Sequence, residues 1–244
     1  MTPLLRAPGV ALLALVLGCA SAPRPHPPPA SEQVPVLFVH GTSQTARFYS
    51  AMVDSFADAG WARERMYAVS LHPADGQLPL EVMAYEVLSA AEVLRRHTGA
   101  ERIDVVAYSQ GALSARYWMQ ELGGQRHVRR FVSISGPHHG TRAAYLLGDP
   151  AIVQMRPGSD FLRALNRHEG EWGETEVFSF WTPTDITVSP PDSSRLAGAT
   201  NRTFFVPVHQ LMLDCPALTT AIQEVLAQPP RVGPARPPAL QETR

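Results

Sequence analysis

An α/β fold, with about six mostly parallel strands and helices on both faces of the sheet, is predicted by three features of this sequence. Apolar, β-forming runs alternate with longer amphipathic stretches through the middle of the chain, the pattern that builds a parallel sheet with crossover helices. The runs are apolar on consecutive residues, as in Val34-Pro35-Val36-Leu37-Phe38-Val39, which suits strands covered on both faces. The size agrees: 244 residues, 45% hydrophobic and 18% charged, make one compact domain with a substantial core.

In chain order, strands are expected at 34–39, 66–70, 103–108, 130–135, 177–181 and 203–208, with helices at 48–59, 79–96, 110–122 and 216–226. Ligands on such a sheet sit at the carboxyl ends of its strands. The stretch 138–175 is long and poorly periodic and is expected to cover that end as a lid. No internal repeat or heptad run is present.

The two ends read differently. Residues 1–19 carry Arg6, an apolar run over 10–17 and the ending Val16-Leu17-Gly18-Cys19; the apolar run is too short to span a bilayer and reads as a removable signal. The ending resembles the bacterial lipobox, in which the cysteine becomes the lipidated first residue of the mature chain, so Cys19 is the expected lipid-attachment site. Cleavage after Ala20 or Ala22, leaving a secreted protein, is the alternative. Residues 20–33 are rich in Pro, Ala and Ser and read as an extended tether. The main domain is expected over 34–227, and the Pro-rich segment 228–244 reads as a disordered tail.

A formal net charge of −1 and a pI near 6.8 supply no basic footprint for a phosphate backbone, so nucleic acid is not an expected partner. The second cysteine, Cys215, stands at the start of an apolar helix without a motif around it and is read as a small buried residue; no disulfide framework exists.

Chemistry enters at Ile103-Asp104-Val105-Val106-Ala107-Tyr108-Ser109-Gln110-Gly111-Ala112: a strand, a serine between small residues, and the start of a helix. This resembles the nucleophile elbow G-x-S-x-G of α/β-hydrolases, with Ala107 in the first glycine position. The turn holds its serine in a strained backbone, and bulky neighbours two residues away would strike the strand or helix. The plainer reading of Ser109 is a helix cap. Phe38-Val39-His40-Gly41-Thr42 ends the first core strand, where that fold places its oxyanion loop. The backbone N–H groups of Thr42 and Gln110 are therefore the expected oxyanion donors.

Chain order in that fold is serine, acid, histidine. Asp185 directly follows the β-forming run 177–181 and is the expected acid, with Asp192 as rival further out in the loop. His209 follows the last expected strand and is the one histidine after Asp185, so it is the expected base. His40 precedes the nucleophile and is read as structural. The adjacent His138 and His139 invite a metal, but no nearby cysteine or carboxylate completes a ligand set, and no metal is expected there.

Taken together, Val39-His40-Gly41, Ala107-Tyr108-Ser109-Gln110-Gly111, Gly136-Pro137-His138-His139-Gly140-Thr141, Asp185-Ile186-Thr187-Val188, the segment 193–199 and His209 resemble, in order and spacing, the small bacterial lipases and esterases of the minimal α/β-hydrolase fold. The resemblance covers roughly residues 34–226. It implies a carboxylic ester hydrolase acting on lipid or other acyl esters, with no cofactor, held in the bacterial cell envelope by its lipid anchor. It also implies that the segment 136–141 shapes the acyl pocket and that 155–162 forms a helix near its entrance. Some relatives hold a structural calcium near the acid and base loops; Asp192 alone is not a ligand set, and calcium stays open. A thioesterase or amidase using the same residues, or an envelope scaffold with the fold but no catalysis, are the alternatives.

Overall fold

The structure, a computed structural model, describes residues 26–229. Six strands form one sheet: β1 (Val36–Val39), β2 (Met66–Val69), β3 (Ile103–Tyr108), β4 (Val128–Ile134), β5 (Glu176–Trp181) and β6 (Thr200–Thr203). Their spatial order is β2-β1-β3-β4-β5-β6, and every neighbouring pair runs parallel. The sheet therefore has two distinct poles, with all carboxyl ends at one and all amino ends at the other.

Alternating strand residues enter two separate cores, which is why the strands are apolar on consecutive positions. On one face Val36, Phe38, Val106, Tyr108, Val132 and Ile134 pack with Met52 and Phe56 of α1 (Ser50–Asp58) and Leu218 and Ile222 of α6 (Pro216–Ala227). On the other, Leu37, Val39, Val105, Ala107 and Phe131 meet Met83 and Val87 of α2 (Leu80–Thr98) and Ala112, Ala115 and Trp118 of α3 (Gln110–Glu121). Helix α2 stops where Gly99 adopts φ 68°, a left-handed cap that glycine takes without strain. No helix among the described residues is long and apolar enough to cross a membrane.

The stretch expected to be a lid has its own core. Two short helices, α4 (Pro150–Gln154) and α5 (Asp160–Leu165), bury Ile152, Phe161, Leu162 and Leu165 against Leu80 and Leu113. The helix expected over 155–162 is instead the C-cap of α4 at Met155, a turn with Gly158 at φ 73°, and the start of α5, capped by Ser159 Oγ, which accepts from the Leu162 N–H (3.2 Å).

Two boundaries differ from expectation. The sequence predicts the last strand at 203–208, but β6 is the exposed edge strand Thr200–Thr203. Beyond it Pro207 can donate nothing to a ladder. Thr182 and Thr184 instead each donate a hydroxyl to the Val206 carbonyl at 2.7 Å, so side chains replace the sheet partner there. The tether expected over 20–33 is docked in its described part. Gln33 is buried, donates to the carbonyls of Pro28 and Gly60 and accepts from the Ala62 N–H. At the other end Arg130 donates to the carbonyls of Gln228 and Pro229 at 2.8 and 2.9 Å. Residues 1–19 with Cys19, and most of the expected tail 228–244, lie outside the described residues.

Candidate active site

Ser109 occupies the turn between β3 and α3 with φ 54° and ψ −127°, a left-handed region where a side chain costs on the order of 1–3 kcal/mol. The surroundings impose it. The Ser109 N–H donates to the Ile134 carbonyl of the next strand (2.8 Å), and its carbonyl accepts from Ala112 N–H (3.0 Å). Space around the turn is minimal: a Cβ on Gly111 would lie 2.2 Å from the His40 carbonyl oxygen, and one on Gly41 would lie 2.9 Å from Ser109 Cβ. Both glycines are thus required by close approach, the expected reason for the small residues.

Asp185 and His209 come to this turn from the loops after β5 and β6. His209 Nε2 is 2.9 Å from Ser109 Oγ, and His209 Nδ1 is 2.7 Å from Asp185 Oδ2. Asp185 Oδ1 accepts from the N–H groups of Thr187 and Val188, each at 2.9 Å. Those bonds turn the carboxylate and leave Oδ2 for the imidazole, so Nδ1 carries the proton and Nε2 accepts from the serine. Asp185 and His209 are 4% and 3% exposed, whereas Ser109 stays half-buried and open to a reactant. A hydroxyl joined to an imidazole that is itself backed by a buried carboxylate can lose its proton as it attacks an electrophile. The rival acid Asp192 lies exposed in the 3-10 turn Pro191–Ser194.

The loop after β1 closes the other side. Thr42 Oγ1 donates to Gln110 Oε1, tying together the two residues whose N–H groups were the expected oxyanion donors. Gln110 opens α3, so its N–H has no acceptor within the helix. His40 is fixed in one tautomer: Nδ1 donates to the Gly41 carbonyl (2.8 Å) and Nε2 accepts from the Leu71 N–H (2.8 Å). Burial holds its pKa below the ordinary imidazole value, as the structural reading requires.

The two neighbouring histidines part company. His138 is fully buried, its Nε2 2.8 Å from Ser133 Oγ, and burial and the nearby Arg116 hold it well below the usual imidazole range. His139 faces outward to Glu169, whose hydrogen bond raises its pKa. Among the described residues no group of three or more His, Cys, Asp or Glu side chains converges.

Tyr108 was not singled out in the sequence. Its hydroxyl donates to the His209 carbonyl (3.0 Å) and its ring lies against the imidazole, centroids 4.9 Å apart. The signal was faint, since any residue can stand in the variable position before the elbow serine.

A doubly covered parallel sheet, a strained serine turn after its third strand, and acid and histidine on later loops define the α/β-hydrolase class. Solved structures agree on the fold. A lipase of Bacillus licheniformis superposes with TM-score 0.70 at 16% identity, over 85% of this chain and 96% of that one. A monoacylglycerol lipase of Paleococcus ferrophilus gives 0.60 at 15% identity, over 80% and 96%. In sequence, a triacylglycerol lipase of Pseudomonas fragi is 33% identical over 98 residues, 36% of this chain; the match spans a third of that relative's length. Residues 33–210 match the family Lipase (class 2), a span that holds all the site residues above. The chain belongs to the class 2 lipase family, a family of carboxylic ester hydrolases.

Proposed function

We propose that this chain hydrolyses lipid esters through an acyl-enzyme intermediate on Ser109, with His209 as general base and Asp185 as its partner. The observation that carries the reading is the continuous relay from Ser109 Oγ through His209 to Asp185, anchored at one end on a strained turn. As Oγ bonds to the ester carbon, its proton passes to Nε2, and the carbonyl oxygen becomes an oxyanion facing the N–H groups of Thr42 and Gln110. Each such donor commonly contributes about 3 kcal/mol. Collapse breaks the bond to the alcohol oxygen, which leaves with the proton from Nε2. Water, deprotonated by the same nitrogen, then attacks the acyl carbon, and Ser109 Oγ departs with that proton.

We further infer that lipid attachment at Cys19 holds the protein in the bacterial cell envelope, because Val16-Leu17-Gly18-Cys19 follows a short apolar run. Moving Cys19→Ser from the membrane to the soluble fraction would support this; unchanged partition would remove it.

The catalytic test is hydrolysis of p-nitrophenyl esters from acetyl to palmitoyl by wild type and Ser109→Ala. Activity confined to the wild type, with labelling by a fluorophosphonate lost in Ser109→Ala, is expected. Labelling without turnover of esters would point to thioesters or amides, and neither labelling nor turnover to a non-catalytic scaffold.

A further inference from the structure

Helix α2 is apolar on two sides. Leu80, Met83, Val87, Ala91 and Leu94 line its buried face. On the opposite side Val82, Tyr85 and Val93 are 40%, 58% and 50% exposed. Steps of three and four residues set Val82, Tyr85, Ser89, Val93 and Arg96 in one line along that outer face. No other α-helix among the described residues exposes a large apolar side chain; the outer faces of α1 and α6 carry Ser50 and Asp54, and Thr220 and Glu224. Apolar side chains scattered singly over a surface are ordinary. Three aligned on one helix face form a contact strip.

The charges of α2 are divided between its ends, with Glu81 in the first turn and Arg95, Arg96 and His97 in the last. A second copy of this helix laid antiparallel across the strip brings each acidic end against a basic one, whereas a parallel copy sets like against like. The apolar positions allow the antiparallel register. Tyr85 and Val93 lie four residues before and after Ser89, and Val82 and Arg96 seven residues before and after it. About a twofold axis at Ser89, Tyr85 therefore meets Val93 of the second copy, and Arg96 reaches the level of its Val82 and Glu81. Ser89 suits the crossing point. It is small, exposed, and donates its hydroxyl to the Tyr85 carbonyl of its own helix (2.9 Å), so it needs no partner across the axis. Glu81 Oε2 accepts from Gln154 Nε2 (2.7 Å), which leaves its other oxygen for the arginine. The ion pair that Arg96 makes within its own helix, with Glu92, is exposed and long at 3.7 Å.

We propose that the outer face of α2 is a self-association surface, on which a second copy of this chain docks antiparallel about a twofold axis through Ser89. The 19-residue helix offers a strip of about 28 Å by 10 Å, less than half the roughly 800 Å² per partner of a stable interface, so the dimer is weak and reversible. Strands β2 and β3 both run parallel to β1, so α2 between them runs against the strands. Antiparallel α2 helices then point the carboxyl poles of the two sheets in opposite directions. Ser109 of each copy stays open, and association leaves turnover per chain unchanged.

The full chain with Cys19→Ser and Cys215→Ser is sedimented to equilibrium from about 5 μM to about 1 mM. A weight-average mass that rises from one 26.6 kDa chain towards two is expected. Tyr85→Glu should weaken association about tenfold or more, with melting temperature and hydrolysis of p-nitrophenyl butyrate unchanged. A single-chain mass throughout, or association undiminished by Tyr85→Glu, overturns the surface; growth beyond two copies overturns the closed twofold pairing. The axis is read from Ser89→Cys in the same background under a glutathione buffer. An intermolecular disulfide forming about tenfold faster than at Glu224→Cys, exposed on α6, is expected; equal rates overturn the axis at Ser89. Arg96→Glu should weaken the dimer a few-fold, and adding Glu81→Arg should restore it. Association unchanged or tightened by Arg96→Glu alone overturns the antiparallel arrangement.

Discussion

Ser109 and His209 meet at 2.9 Å, yet they are held there by opposite means. The serine is fixed by main chain: a strained turn, ladder-like bonds to β4, and two glycines that let the loop after β1 and the first turn of α3 close on it. The histidine lies beyond the last strand, where the chain has left the sheet, and side chains hold it: Asp185 on Nδ1, Tyr108 on its carbonyl, and Thr182 and Thr184 on the approach at Val206. The difference teaches which changes each half tolerates. Crowding the serine turn attacks the fold, whereas trimming single atoms around the histidine attacks turnover first.

The largest effect expected is for Asp185→Asn, which keeps the shape but offers the imidazole the wrong partner; kcat should fall on the order of 10⁴-fold with an unchanged melting temperature. Near-wild-type turnover would show that the histidine loop needs no carboxylate. Next comes Gly111→Ala. A methyl 2.2 Å from a backbone oxygen cannot be absorbed by a rotamer change, and a loss of about 3 kcal/mol or more is expected in urea unfolding. A stable variant would mean the serine turn is looser than its contacts imply. Tyr108→Phe removes one hydroxyl bond, worth about 1 kcal/mol, while keeping the ring; a several-fold drop in kcat at constant KM is expected. A change in KM alone would assign Tyr108 to substrate contact instead.

The smallest effect is one of pH. His40 belongs to the main-chain half and must stay neutral to accept from Leu71 N–H. Burial depresses its folded pKa below the ordinary imidazole value of about 6.5, so its contribution is complete above that value and is lost as pH falls through the folded pKa. Thermal melts from pH 8 down to 5 should show stability falling below about 6.5, less steeply in His40→Gln. Identical slopes would show that His40 does not couple the loop after β1 to acid.

The same contrast explains what was legible in the sequence. The sheet and the elbow are written in consecutive residues: two-faced burial covers every residue of 103–108 and leaves all but the ion-paired Asp104 without a charge, and close approach leaves Gly41 and Gly111 no substitute. Asp185 and His209 could be proposed because they follow β-forming runs, and the expected contacts are present. The loop carrying His209 reads as strand because Phe204 and Val206 alternate buried with exposed Phe205, imitating a period of two. Its true partners are distant in sequence: Thr182 lies in no motif, and Tyr108 fills the variable position of the elbow, where its identity carries no signal. The docked segment 26–33 was equally hidden, because Pro-rich composition reports backbone stiffness but not the pocket that receives Gln33.

His26 and Pro27 line the same cavity as Gln228 and Pro229, so the first and last described residues are neighbours at the foot of the sheet. Joining them by a short peptide and reopening the chain at an exposed turn far from the triad, such as Gly123, would leave the sheet order intact. The connectivity of this domain is therefore open to circular permutation, and fused partners at either end would hang clear of the catalytic mouth.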